Sequence, residues 1–284
     1  GVHARTNANA GVGGDDDAPA VAPSAGAHAR EALLLATYHQ WLAHDDAQLD
    51  ELVGQLHQRG EKERKAAVAA VVGHGQRALP SLARYFPGVL AVHPFGAMDK
   101  RPDVKDTSDC LACLVRLGPD LAAPIFAGEL AHDDRLHRWA AVWALSSLRV
   151  PGALPRLAQR LFDPEPAIAA LGIEILDGYR DSDAFDKVLA QVRDLVRRGD
   201  PFEKARAIAT VGDLRDREAL SALVDLLGTR PKDLAEKART ALVDITKQDF
   251  GTAERRWRAW IADNEKTPRT RWLIEGLAAK DDDI

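Results

Sequence analysis

The chain has 284 residues, of which 46% are hydrophobic and 29% are charged, and its formal net charge is −5. This length and apolar content suffice for a sizeable core in one or two domains. The acidic balance argues against a surface built throughout for nucleic acid. Since no stretch approaches the roughly 18 consecutive apolar residues of a membrane helix, we expect no membrane span.

Residues 1–29 consist largely of Gly, Ala, Asn, Asp and Pro. Because such a composition cannot bury enough apolar surface to offset ordering entropy, it predicts a disordered tail or linker. It also lacks the apolar core of an intact signal peptide. Cys110 and Cys113 lie three residues apart in one apolar run. A disulfide between them would not connect distant elements of the fold. This cysteine usage favours a reducing compartment, and we expect a cytoplasmic protein.

A repeated pattern runs through most of the remaining chain. Residues 78–86 closely match residues 153–161, and residues 219–227 repeat the pattern. Weaker copies begin at Ala122 and Ala184, so that from Ala122 onward successive copies begin 31–35 residues apart. The step before Ala122 is longer because it contains a stretch rich in Gly and Pro. We expect an irregular insertion at residues 87–106.

Each repeat is predicted to be a pair of helices. In residues 153–161 the apolar side chains recur at i, i+3, i+4 and i+7, which is the spacing of one helical face. An alanine-rich segment of similar character precedes each copy. Short Gly and Pro breakers separate the two segments, and a capping acid or a proline begins the next pair, as at residues 133–134, 163–164 and 200–201.

The sequence resembles the HEAT repeats, in particular the short bacterial form called PBS-lyase HEAT-like. The resemblance rests on Arg-Trp-Ala-Ala-Val-Trp-Ala-Leu at 138–145, followed by Ala-Leu-Pro-Arg-Leu-Ala-Gln-Arg-Leu-Phe-Asp-Pro at 153–164. A similar pairing recurs at 204–227, and the resemblance covers roughly residues 60–246. It implies an all-α fold, a right-handed α-solenoid of about seven HEAT-like helical hairpins.

We expect the solenoid to occupy residues 30–280, with a Trp-rich cap at 252–280. The chain ends on Asp281-Asp-Asp-Ile284, which is typical of the turn before a further helix, so we expect a fragment of a longer bacterial protein. Known members of the family include scaffolds, chromophore lyases and a DNA glycosylase class. The resemblance therefore implies architecture and does not choose among these functions.

The sequence offers few candidates for chemistry. A zinc site at Cys110 and Cys113 would need two more ligands, and no second Cys or His pair has suitable spacing, so we interpret both as core thiols. The tetrad Ala-His-Asp-Asp occurs at 43–46 and 131–134, where His suits a helix end and Asp suits the next helix start. Since no catalytic triad, phosphate loop or dinucleotide motif occurs, we expect no catalytic residue, metal or cofactor.

The tryptophans at 139, 143, 257 and 260 are predicted to pack in the core. Trp139 and Trp143 lie one helical turn apart, as do Trp257 and Trp260, and alanine or aliphatic residues surround them. The alternative is an aromatic cleft of the kind that a base-excision enzyme would need.

A basic stripe is the leading candidate for partner binding. Equivalent polar positions of stacked second helices align along one face of a solenoid, usually its inner curve. The residues at these positions are Arg84, Arg156, Gln159, Arg160, Lys187, Gln191 and Arg193. They suit an acidic peptide or surface, and the turn with His93 and Phe95 in the insertion could form a lip. The alternative is an ordinary solvated face.

The function expected from these features is a non-enzymatic scaffold for protein–protein interaction. One alternative is a nucleic-acid-binding or DNA-glycosylase-like HEAT protein, and another is a PBS-lyase-like helper that holds a ligand. The acidic balance leads us to expect weak or no binding to nucleic acid. If the basic stripe is exposed, reversing Arg156 and Arg160 to Glu should hardly change the melting temperature. The oligomeric state and the partner's identity stay open.

Overall fold

The computed structural model describes residues 25–58, 60–96 and 100–274. This part of the chain is helical with connecting turns and contains no strand, which confirms the all-α prediction. The helices are α1 (Ala25–Leu42), α2 (Ala47–Gly54), α3 (Glu61–Gly73), α4 (Leu79–Tyr85), α5 (Val104–Thr107), α6 (Asp109–Leu117), α7 (Pro119–Glu129), α8 (Arg135–Ala144), α9 (Leu154–Arg160), α10 (Pro166–Asp177), α11 (Asp183–Arg198), α12 (Pro201–Asp213), α13 (Leu220–Asp225), α14 (Lys232–Thr246) and α15 (Glu254–Asn264). A last helix, α16, covers residues 269–274 of the described range.

From α3 onward the helices pair into successive hairpins that pack side by side. First helices contact one another in the pairs α3 with α6, α8 with α10, and α12 with α14. Second helices make a parallel series in which α9 contacts α11, α11 contacts α13, and α13 contacts α15. Because each hairpin packs mainly on its neighbours, the arrangement is compatible with an α-solenoid.

The predicted apolar face of the second helix is observed in α9. Leu154, Leu157 and Ala158 are at most 1% exposed. On the first helix α8, Ala140 and Ala144 are fully buried. Alanine at such positions lets neighbouring helices approach closely, while the leucines fill the space between the two helical layers.

Two of the predicted helix starts have acidic caps. The Asp134 carboxylate accepts a hydrogen bond from the Leu136 amide at 2.7 Å. Asp200 forms a capping box with Glu203, in which each side chain accepts from the other residue's amide. At the third start, Asp163 lies outside the cap position, because Glu165 precedes the helix.

Asp163 instead joins two helices. Its carboxylate accepts from Arg138 Nε at 2.9 Å and from Arg160 Nη1 at 2.7 Å. It also accepts from the Glu165 amide at 3.0 Å. The side chain is fully buried, so these donors, together with Arg138 Nη2, replace the water that an exposed carboxylate would bind. This ion pair fixes α8 and α9 to the turn that leads into α10.

Most predicted boundaries shift by a few residues. The helix α1 begins at Ala25, before the expected boundary at residue 30, and residues 1–24 of the predicted tail lie outside the described range. The irregular part of the insertion ends before α5 begins at Val104. The Trp-rich cap is described only to residue 274, and there Trp257 and Trp272 are buried. Trp139 is also buried, which confirms core packing for this residue and for Trp257.

Candidate functional site

The structure pairs most of the basic stripe with the chain's own carboxylates. Four of its five cations form ion pairs, namely Arg84 with Asp50, Arg156 with Glu31, Arg160 with Asp163, and Arg193 with Asp216. Lys187 is exposed and forms no ion pair within the described residues, whereas Gln159 and Gln191 are half-buried. The arginines therefore do not present unneutralised charge to a partner's carboxylate.

The expectation that Arg156 and Arg160 are exposed is wrong. Their side chains are only 21% and 13% exposed, respectively. Glu31, the partner of Arg156, is itself buried. Charge reversal at these two positions would place carboxylates beside Glu31 and Asp163, so it should destabilise the fold. The proposed reversal cannot serve as a test of binding alone.

The N-terminal helix α1 covers part of the face that the stripe was expected to form. It packs on α4 and α7 and reaches the turn before α9. Glu31 lies near its beginning, and the Arg84 guanidinium donates to the Trp41 carbonyl near its end at 3.1 Å. With 18 residues, α1 spans roughly 27 Å at 1.5 Å per residue. It thus occupies the second-helix face along three successive repeats.

A buried carboxylate connects α1 to the next two elements. The Tyr38 hydroxyl donates to Glu129 Oε1 at 2.8 Å, and His137 Nδ1 contacts Glu129 Oε2 at 2.6 Å. Glu129 is 1% exposed. Burial, reinforced by the charge of Glu129, raises the pKa of Tyr38, so the hydroxyl stays protonated and donates. No pattern in the sequence singles out Tyr38, Glu129 or His137.

Glu129 and His137, together with His132, form the one group of three potential metal ligands in the described residues. Ligand atoms of Glu129, His132 and His137 lie within 4.8 Å of one another. The two imidazole rings, however, are stacked at 3.9 Å with an interplanar angle of 12°, and His132 Nδ1 accepts from the Asp134 amide. Stacked rings direct their lone pairs side by side and not toward one point. We therefore assign the group a structural role.

A concave apolar region lies beside the insertion, and we call it the insertion pocket. It has a volume of about 550 Å³, within the range of about 300–1,000 Å³ that ligand pockets occupy. It is lined by Val53, Gly54, Leu56, His57, residues 85–90, residues 92–94, Asp109, Cys110, Asp134, Leu136 and His137. Apolar side chains make up most of this lining.

The rim of the insertion pocket exposes apolar side chains. Tyr85, Val89 and Leu136 are 43%, 60% and 37% exposed, respectively. Polar groups lie among them, including the imidazole of His137, whose Nδ1 contacts a carboxylate and therefore carries the proton. An apolar cavity with a few convergent polar groups is typical of a binding site.

The insertion is held against the fold at both ends. The Ser108 hydroxyl donates to the Pro87 carbonyl at 2.6 Å, and the Ala91 amide donates to the Thr107 carbonyl at 2.8 Å. Phe95 stacks under the Arg135 guanidinium at 4.4 Å. The predicted lip thus borders the insertion pocket and not the basic stripe: His93 lines the pocket, and Phe95 supports it from outside.

Both cysteines are buried free thiols near the pocket. Burial raises the pKa of Cys110, and it raises the pKa of Cys113 to about 12, with Asp109 adding to the latter shift. The Cys110 thiol donates weakly to the Leu82 carbonyl at 3.6 Å. These contacts are those of core side chains, as the sequence analysis predicted.

Neither cysteine should react with iodoacetamide in the native protein at pH 8. The thiolate is the reacting species, and a pKa of about 12 leaves roughly one Cys113 thiol in ten thousand ionised at that pH. Mass spectrometry of the alkylated protein measures this. The same protein in denaturant, where both cysteines should be modified fully, is the control. Rapid alkylation of the folded protein would contradict the buried, protonated state.

Comparison with known families agrees with this architecture. The family described as PBS lyase HEAT-like repeat matches residues 138–163. This segment begins at Arg138 in α8 and ends at Asp163, which binds both Arg138 and Arg160. The chain thus carries a repeat of the HEAT type, as the sequence resemblance indicated. A search of curated proteins finds no significant match. Of the described helices, none is sufficiently long and apolar to cross a membrane.

Proposed function

We propose that the chain is a non-enzymatic scaffold, a right-handed solenoid of about seven HEAT-like hairpins that binds an extended segment of a protein partner. The observation that supports this proposal is the insertion pocket with its exposed apolar rim of Tyr85, Val89 and Leu136. Exposed apolar side chains that surround a cavity mark interaction sites. An aromatic or aliphatic side chain of the partner would fill the cavity as an anchor.

The ion pairs of the second helices guide the choice of surface. Arg84, Arg156, Arg160 and Arg193 already have carboxylate partners. A phosphate backbone or an acidic peptide bound there would have to displace those carboxylates and leave them uncompensated. The neutralised stripe therefore supports neither an acidic peptide along this face nor the nucleic-acid alternative.

The polar groups of the pocket favour binding over catalysis. The raised pKa of Cys110 removes it as a nucleophile at neutral pH. The Glu129 carboxylate holds the His137 imidazole in place through Nδ1, which suits a hydrogen bond between the other ring nitrogen and a polar group of the partner. Such a contact orients a bound segment, while the apolar walls supply most of the affinity.

Val89→Asp is expected to weaken peptide binding about ten- to a hundredfold. Burying an apolar anchor contributes about 1.5–3 kcal/mol, and a carboxylate on the rim would have to be desolvated. The ligands are peptides selected from a random 12-residue display library against the wild-type protein, with affinities measured by fluorescence anisotropy. Because Val89 is 60% exposed, the unfolding free energy should change by about 0.5 kcal/mol or less.

The matched control is Leu33→Asp, since Leu33 is 68% exposed on α1 and does not line the pocket. It should leave peptide affinity unchanged. If selected peptides lack an apolar anchor, or if they bind both variants equally well, the insertion pocket is not the partner site.

The cavity volume of about 550 Å³ also suits a small apolar molecule, which favours the ligand-holding helper as the second candidate. A titration with the neutral dye N-phenyl-1-naphthylamine distinguishes the two. Binding of the dye that Val89→Asp abolishes, together with failure of the peptide selection, would favour the helper.

A further inference from the structure

A second cavity adjoins the insertion pocket on the other side of Val89 and Leu90, and we call it the basic pocket. Its volume is about 390 Å³. It lies among α3, the chain around α5 and α6, and its charged lining residues are His57, Arg64, Lys65, Lys105, Asp106, Asp109 and Arg116. Four lysines and arginines therefore face two carboxylates. His57, Val89, Leu90 and Asp109 line both cavities, so a single bound segment could contact both.

Three of the four lysines and arginines of the basic pocket are poorly neutralised, whereas Lys65 pairs with Glu61 at 2.8 Å. Arg116 is exposed and forms no ion pair within the described part of the chain. The carboxylate nearest to Arg64 is Asp109 at 3.7 Å, beyond hydrogen-bond distance, and the buried Arg64 Nε has no hydrogen-bond partner. Lys105 lies 4.0 Å from Asp103. Among the residues that the structure describes, Arg64 and Lys105 therefore have no carboxylate within hydrogen-bond distance.

This environment differs from that of the arginines in the second helices. Arg160 and Arg193 bind carboxylates at 2.7 Å and 2.6 Å, respectively. Charge-assisted hydrogen bonds of that length contribute most when both partners are held in place. Arg64 and Arg116 lack such partners although carboxylates are common in this chain. Their charges are available to a ligand, whereas those of the second helices are not.

We propose that the basic pocket binds a carboxylate of the same partner segment whose apolar side chain enters the insertion pocket. This inference rests on the proposed function. Arg64, whose side chain is 43% exposed, would donate through its guanidinium group, and Arg116 and Lys105 would add positive charge. Because the cavities share a wall and an extended residue spans about 3.3 Å, the acidic residue should lie within about four residues of the anchor. The partner is therefore a segment with an apolar residue close to Asp or Glu.

The test selects peptides from two display libraries, a random 12-residue library and one that lacks Asp and Glu. From the first, the wild-type protein should enrich an apolar anchor with a nearby acid. From the second, it should yield only weaker binders. The variant with Arg64→Gln and Arg116→Gln should bind the best acidic peptide at least tenfold more weakly than wild type does. In the amide analogue of that peptide, Gln or Asn replaces the acidic residue. The variant and the wild type should bind this analogue with equal affinity.

The matched control is Arg197→Gln with Arg198→Gln, which removes the same charge from exposed positions of α11. It should leave both affinities unchanged, and circular dichroism should show that all variants keep their helix content. The proposal is overturned if enriched peptides carry the anchor without an acid, or if Arg64→Gln with Arg116→Gln weakens the acidic peptide and its amide analogue equally. If the binding of acidic peptides depends on Arg64 and Arg116 but not on Val89, one segment does not occupy both pockets. This outcome would refute both this proposal and the proposed function.

Discussion

Asp163→Ala is expected to lower the free energy of unfolding by about 3–5 kcal/mol, because it removes the counter-charge of two largely buried guanidinium groups. The Asp163 side chain is fully buried, and those of Arg138 and Arg160 are 10% and 13% exposed. Arg138 contacts the carboxylate through two nitrogens, at 2.9 Å and 3.1 Å. A methyl group at this position leaves both cations buried without a counter-charge, although Arg138 still donates to the carbonyls of His132 and Asp133.

Urea denaturation followed by circular dichroism measures this loss. The control is Asp225→Ala, which breaks the pair between Asp225 and Arg258, whose side chains are 58% and 49% exposed. A pair this exposed contributes about 0–1 kcal/mol. If both substitutions cost the same, the Asp163 carboxylate does not hold the hairpin junction. Asp163→Asn, which keeps the shape and loses the charge, should give an intermediate loss.

The ion pairs of the basic stripe could not be predicted from helical periodicity. The family match begins at Arg138 and ends at Asp163, so the matched repeat is closed by an interaction between its first and last residues. Arg193 likewise binds Asp216, which precedes the turn into the next second helix. In the sequence the stripe arginines occupy polar positions of amphipathic helices, and the acids of Arg84, Arg156 and Arg193 lie 34, 125 and 23 residues away, respectively. Periodicity identifies the helical face but not the carboxylate that packs against it.

Local patterns predicted the hairpins correctly. The spacing of Leu154, Leu157 and Ala158 fixes a helical face whatever the neighbouring helices are, and all three residues are buried. The candidate pockets depend on a different kind of information. The insertion pocket combines the end of α2, the chain after α4 and the start of α8. Segments so far apart in the sequence come together only through packing, so no spacing rule could reveal the cavity.

The placement of α1 was also beyond the sequence patterns. Its apolar residues predict a helix, and they do not show that it lies across second helices instead of pairing as a repeat. One signal was available in α7, where Gly128 interrupts a helical pattern. A glycine inside a helix costs stability unless something approaches its backbone. In the structure Tyr38 of α1 occupies that space.

Gly128→Ala is therefore expected to destabilise the protein by about 1–3 kcal/mol, although alanine is the better helix former. A Cβ at this position would lie 2.3 Å from Tyr38 Cδ1 and Cε1. The Tyr38 ring is rigid and its hydroxyl binds Glu129, so the clash has to be relieved by moving α1. The matched control is Gly73→Ala, where the added Cβ meets nothing within 4 Å. That substitution should stabilise by up to about 1 kcal/mol, because it only restricts the unfolded chain.

Hydrogen exchange distinguishes a local from a global effect of Gly128→Ala. If Tyr38 anchors α1, amides of residues 25–42 should exchange faster in the variant, while those of α12 and α14 keep their protection. Equal stabilisation by Gly128→Ala and Gly73→Ala would show that Tyr38 does not pack on Gly128 in solution. Release of α1 would also separate Glu31 from Arg156. The other three paired arginines of the basic stripe would keep their carboxylates, because Asp50, Asp163 and Asp216 lie outside α1.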